Sequence, residues 1–385
     1  MKNTLTQGQA QPRPPHKRSQ AHSGVHPLSA LTHRTQRFQP LPPALGEPPY
    51  HFDLEEAIPG VTKQATDAGK IVFHTVGDTG GIKNPEYQAN VAASMKRDLF
   101  NMAGADKPLF FYHLGDVIYY NGELDKYYDQ FYEPYDHYAA PIFAIPGNHD
   151  GDPASAAQTS LDGWVNYFMT ATPHVDPLSK DAPRVTMSLP NVYYTLNCPF
   201  VTIVGMYTNV PEHGSVDSIQ QQWLTNELHT APKDKALIVA LHHPIYSFDD
   251  HHSGSPAMAD VLQHAINDSR RVPNMVLMAH VHNIQRIEKD IVKGTPTPFF
   301  VAGNGGYYHL HNLTAQAGDV DDNTGAKLVY ADDKSHGYMT LTVDKKNISG
   351  VVTLIDKVTG DASDTNTFSY PAKAVFLDSK TVVSL

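Results

Sequence analysis

Residues 109–120 read Leu-Phe-Phe-Tyr-His-Leu-Gly-Asp-Val-Ile-Tyr-Tyr. An apolar run of strand length stops at Gly115, and Asp116 follows where the chain must leave a sheet and turn. A carboxylate at the C-terminal end of a buried strand faces the crevice where open α/β sheets hold ligands. Taken alone, Asp116 also reads as an ordinary turn aspartate. The same grammar repeats along the chain. Ile71–Val76 is a predicted strand that ends in Gly77-Asp78-Thr79-Gly80. Pro141–Pro146 runs into Gly147-Asn148-His149-Asp150, Ala236–Leu241 into His242-His243-Pro244, and Met275–Met278 into Ala279-His280-Val281-His282.

Between these strands the pattern is helical. Asn84-Pro85 opens a helix with Val91, Met95, Leu99 and Met102 at helical spacing. Further helices carry Ile219, Trp223 and Leu224, and Met258, Val261, Leu262 and Ile266. Val192–Leu196 and Val201–Gly205 predict two strands of a second sheet, and 299–302, 339–343 and 351–355 predict three more. Residues 119–138 hold seven tyrosines, of which Tyr119 alone sits beside a strand-end carboxylate. Residues 151–190, with Trp164 and Phe168, read as an insertion or lid loop. Residues 1–68, rich in Pro, Gln, His and Ser, predict a disordered leader before a single catalytic domain at 69–385.

Composition narrows the function classes. Of 385 residues, 18% are charged and 41% hydrophobic, and no apolar run could span a bilayer. The net charge of −11 speaks against nucleic-acid binding, which needs Lys and Arg to neutralise phosphates. Cys198 is the only cysteine, so no intrachain disulfide can form, and no apolar signal segment heads the chain. Both features favour the cytoplasm over export.

If the strands share one rim, Asp78, Asp116, Asn148, His242, His280 and His282 converge. Oxygen and imidazole donors without thiolate suit Fe, Mn, Zn or Ni. These donors exceed what one ion with an open position needs. They suffice for two ions if one carboxylate is shared, and Asp116 is the expected bridge. Two such cations can clamp an in-line displacement at phosphorus and activate water near neutral pH.

These ordered blocks resemble those of the purple acid phosphatases, within the calcineurin-like metallophosphoesterases, over roughly residues 70–310. Gly80 stands where many relatives have a ligand histidine, and Tyr119 follows the second aspartate by three positions. The resemblance implies an α/β/β/α sandwich of two central mixed sheets with metals at their carboxyl edges. It implies one ion, Fe(III), held by Asp78, Tyr119, His282 and Asp116, with tyrosinate-to-iron colour. A second ion, Fe(II), Zn(II) or Mn(II), would be held by Asn148, His242, His280 and the shared Asp116. His149 would contact the substrate phosphate, and His251, with His252 beside it, would serve the leaving group as general acid; the pair would equally suit two surface histidines in a polar loop. The expected activity is acid phosphatase action on small phosphomonoesters, water activated by the metals attacking phosphorus. The alternatives are a phosphodiesterase on the same site and a catalytically silent metal-binding protein. Ala279 departs from the family's usual glycine and would disturb His280 only if its φ were positive.

Overall fold

The computed structural model describes residues 36–385. Two mixed sheets carry the chain. In the six-stranded sheet the order is Ala362–Pro371, Asn347–Ile355, His336–Asp344, Lys70–Val76, Phe111–His113, Ile142–Ala144. Its last three strands run parallel. The eight-stranded sheet runs His51–Asp53, Tyr194–Asn197, Val201–Gly205, Ala236–Ala240, Met275–Met278, Thr295–Ala302, Ile284–Val292, Lys327–Asp332. Its central strands, from Val201–Gly205 to Thr295–Ala302, are also parallel.

Parallel strands are covered on both faces, which is why Ile71, Phe73, Val76, Ile238, Val239, Val276 and Leu277 are all buried without alternation. Side chains from the two sheets meet in the core: the Phe52 and Phe143 rings lie 5.8 Å apart, and those of Tyr112 and Tyr194 6.5 Å apart. Helices Pro85–Asn101, Ser218–Thr230 and Pro256–Ser269 lie in the connections. The last two start on side-chain caps, Asp217 accepting from Gln220 N–H and Ser255 from Met258 N–H. Among the described residues no helix is long and apolar enough to cross a membrane.

Three expectations change. Order does not begin near Lys70: residues 51–68 form the edge strand His51–Asp53 and helices Leu54–Ala57 and Val61–Ala68. This segment has too few apolar residues to show a period, and it finds its partners far along the chain. His51–Asp53 pairs with Tyr194–Asn197, Trp223 Nε1 donates to the Pro49 carbonyl (2.7 Å), and Phe52, Leu54 and Val61 are buried. The leader's residues 1–35 lie outside the described residues. Residues 151–190 are not a loose lid, because helix Asp162–Phe168 buries Trp164, Tyr167 and Phe168. Finally, strands Ile284–Val292, Lys327–Asp332 and Ala362–Pro371 were not legible, since their charged and small polar residues mask the alternation.

Candidate metal centre

Each candidate ligand sits just past the C-terminal end of a parallel strand. Asp78, Asp116 and Asn148 leave the six-stranded sheet; His242 and His280 leave the eight-stranded one. Hydrogen bonds stitch the two edges together: Gly77 N–H donates to the Ala302 carbonyl (2.8 Å) and His242 Nδ1 to the Leu114 carbonyl (2.9 Å). All the predicted metal-site residues therefore come together.

The turns are sharp. Asp78, Asp116 and His280 adopt left-handed backbone, with φ of 56°, 53° and 69°. Such conformations cost about 1–3 kcal/mol each in non-glycine residues and persist where surrounding structure holds them. Gly147 is required by the approach of Asp116, whose Oδ1 would lie 2.1 Å from any Cβ there. Gly80 makes room for the Tyr119 ring, 2.8 Å from where its Cβ would be. Ala279 has no positive φ, so the departure from glycine leaves His280 in place.

Two donor groups meet at Asp116. In one, Tyr119 OH lies 3.0 Å from Asp78 Oδ1 and 3.2 Å from His282 Nε2. In the other, Asn148 Oδ1 lies 3.0 Å from both His242 Nε2 and His280 Nδ1. Asp116 Oδ1 stands 3.5 Å from His242 Nε2 and accepts the His149 N–H at 2.9 Å. Asp116 Oδ2 is buried with no hydrogen-bond partner among the described residues. The two histidines whose Nε2 faces inward spend Nδ1 on backbone, His242 on Leu114 and His282 on the His309 carbonyl (3.2 Å). This fixes the tautomer that offers Nε2 as a lone pair.

The electrostatics suit a cationic centre. Burial, then the charge of Asp116, pushes the Asp78 carboxyl up to about 8. Burial opposes a charge on His242, yet Asp116 beside it lifts the imidazole to about 9. Buried anions that must borrow protons from their neighbours call for cations. A carboxylate oxygen with no protein partner, inside oxygen and nitrogen donors, fits two hard or borderline metal ions.

A model of the calcineurin-like phosphoesterases matches residues 72–283, more than half of the sequence. The chain belongs to that family. The family's fold implies binuclear metal binding. A purple acid phosphatase from yellow lupin (Lupinus luteus) seeds shares the fold, with a TM-score of 0.56, 18% identity and coverage of 78% of this chain. This chain spans 54% of the lupin protein's length. GAP50, described as the anchor in the inner membrane complex of Plasmodium, shares it at a TM-score of 0.52 and 14% identity, covering 81% of this chain and 90% of that one. A search of curated proteins returned no match.

Around this centre, the predicted pair His251/His252 divides. His252 Nδ1 meets Glu212 Oε1 at 2.9 Å and its ring lies 4.3 Å from that of His280. His251 instead stacks on His311 at 4.3 Å. His149 Nδ1 donates to the Tyr120 carbonyl (2.7 Å) and its ring lies 4.5 Å from that of Tyr119.

Sequence reasoning missed three contributors. Asp150 accepts N–H groups of Gly147 and Val117, tying the third block to the second; its place inside Gly-Asn-His-Asp was the available signal. Glu212 had none, since its partners are distant in sequence. Tyr307, whose ring lies 4.4 Å from Tyr119 and 4.2 Å from His282, packs beside Tyr308, to whose hydroxyl Lys83 donates at 2.7 Å.

Proposed function

We propose that this chain is a dinuclear phosphatase of the purple acid type, hydrolysing phosphomonoesters. The observation that carries the reading is Asp116, a buried carboxylate standing between two donor groups with one oxygen unpartnered. Asp78, Tyr119, His282 and Asp116 would hold Fe(III), which a phenolate favours. Asn148, His242, His280 and Asp116 would hold a divalent Fe, Zn or Mn. When bound, the pair supplies Lewis acidity and a lowered pKa for water.

The remaining work falls to side chains. His149, oriented by the Tyr120 carbonyl, binds a phosphoryl oxygen and steadies the charge that grows there. Burial opposes a charge on His252, but the Glu212 carboxylate more than offsets it and raises the imidazole's pKa. Such a protonated ring is suited to give its proton to the leaving oxygen. This assigns the general-acid role to His252 rather than His251.

Turnover of p-nitrophenyl phosphate compared with the bis(p-nitrophenyl) ester tests the substrate class. Preference for the monoester supports the proposal; preference for the bis-ester makes the protein a phosphodiesterase, and no turnover of either makes it a silent scaffold. Colour provides a second check. The purified protein should absorb in the violet-purple region, and Tyr119→Phe should abolish the band. Folding stability should change by only about 1 kcal/mol, the net worth of a lost hydroxyl hydrogen bond. An unchanged spectrum in the variant would exclude Tyr119 as the iron ligand.

A further inference from the structure

Next to the dinuclear pocket lies a second histidine cluster. His251, His309 and His311 each bring one ring nitrogen within 4.8 Å of the other two. They come from two loops that are bound to each other: Asp249 bridges Leu313, and Asp250 N–H donates to the Asn312 carbonyl at 3.1 Å. The cluster is therefore held by paired backbone.

Carboxylates stand behind two of the rings. Asp250 Oδ1 lies 2.5 Å from His251 Nδ1, and Asp249 Oδ2 lies 3.2 Å from His311 Nδ1. Both carboxylates are themselves anchored. Asp249 accepts N–H groups of His251 (3.0 Å) and His252 (2.8 Å) and the Asn283 amide (3.1 Å), while Asp250 Oδ2 accepts the Asn312 amide (3.1 Å). A carboxylate that accepts a hydrogen bond from Nδ1–H leaves the Nε2 lone pair for a metal, the usual outer support of a metal-bound histidine. The His251 and His311 rings are stacked 13° from parallel. Because imidazole lone pairs lie in the ring plane, a shared ion would turn these two planes towards each other. Three imidazoles without thiolate match a zinc-type divalent ion with one position left for water.

We propose that His251, His309 and His311 form a third metal site, for a zinc-type divalent cation, supported by Asp249 and Asp250. It adjoins the dinuclear pocket, since the His311 ring is 4.4 Å from that of His282 and the His309 carbonyl accepts His282 Nδ1. A cation there adds positive charge where a phosphate dianion enters a protein of net charge −11. The site goes beyond the proposed hydrolysis and does not depend on it.

The test counts metal. The full-length protein is dialysed against buffered Zn²⁺ and bound metal is measured by mass spectrometry. The wild type should hold three ions and His309→Ala two. His309 is exposed and its backbone contact to His282 survives the substitution, so the fold is kept. Asp250→Asn should weaken the same ion by about 10- to 100-fold. Equal counts in wild type and His309→Ala, or unchanged affinity in Asp250→Asn, would overturn the site. The difference between wild type and variant reads this site alone, whereas the count left in the variant reads the dinuclear centre, so either can fail independently.

Discussion

Asp116→Asn should lower phosphomonoester turnover by about 10³-fold or more. Losing one preorganised electrostatic contact costs about 10²–10³ in turnover, and Asp116 is proposed to contact both cations. Asparagine keeps the shape of the side chain and the oxygen that accepts the His149 N–H at 2.9 Å, so charge is lost while the fold remains. Metal content should fall in the same variant, with an unchanged circular dichroism spectrum. Full activity with Asn at this position would remove the bridging carboxylate from the mechanism and leave the dinuclear reading without its main support.

Chelation should abolish activity and destabilise the protein, increasingly so as pH rises from 6.5 to 8. Each site filled at about 1,000 times its Kd contributes about 4 kcal/mol of stability, which chelation removes. The pH dependence of the stripped protein follows from the buried groups. Asp78, raised to about 8 by burial and then by Asp116, keeps a proton in the folded chain that the unfolded chain has lost above its ordinary carboxylate value. Asp150, raised to about 7 by burial and by Asp116, behaves alike. His242, lifted to about 9 by Asp116 in spite of burial, does so above 6.5.

Stability contributed by groups of this kind is complete below their unfolded values and is lost as pH climbs through the folded ones. His282, held at about 3 by burial, penalises folding only below 6.5. Between pH 6.5 and 8, then, the slopes of Asp78, Asp150 and His242 all point downwards. Calorimetric melts with and without chelator provide the check: a melting temperature of the stripped protein that rises over this interval would contradict the assignment of these groups. The metal-loaded protein should lack the trend, because the cations replace the shared protons.

Much of this centre was readable along the chain. Strand Lys70–Val76 followed by Asp78, and Met275–Met278 followed by His280 and His282, are local patterns in which a buried run gives way to a polar turn. Other parts were not. Residues 51–68 read as loose because partners such as Phe143 and strand Tyr194–Asn197 lie beyond any window of local periodicity. Glu212 carried no signal, since its role comes from meeting His252 and lying 3.8 Å from His280 Nε2. The adjacent His251 and His252 read as one unit, yet Asp249 takes both their N–H groups and fixes a turn that stacks His251 on His311 and sets His252 against Glu212 and His280.

Donor chemistry and its strand-end positions were determined by sequence alone, because both depend on residue type and on hydrophobic runs only a few residues long. Which imidazole nitrogen faces the centre, and which histidine of a pair reaches it, was decided only in the tertiary structure. The Leu114 carbonyl that orients His242 lies 128 residues away in the chain. A lone pair's direction is set by the partner of the opposite ring nitrogen, and that partner exists only once the two sheet edges have met.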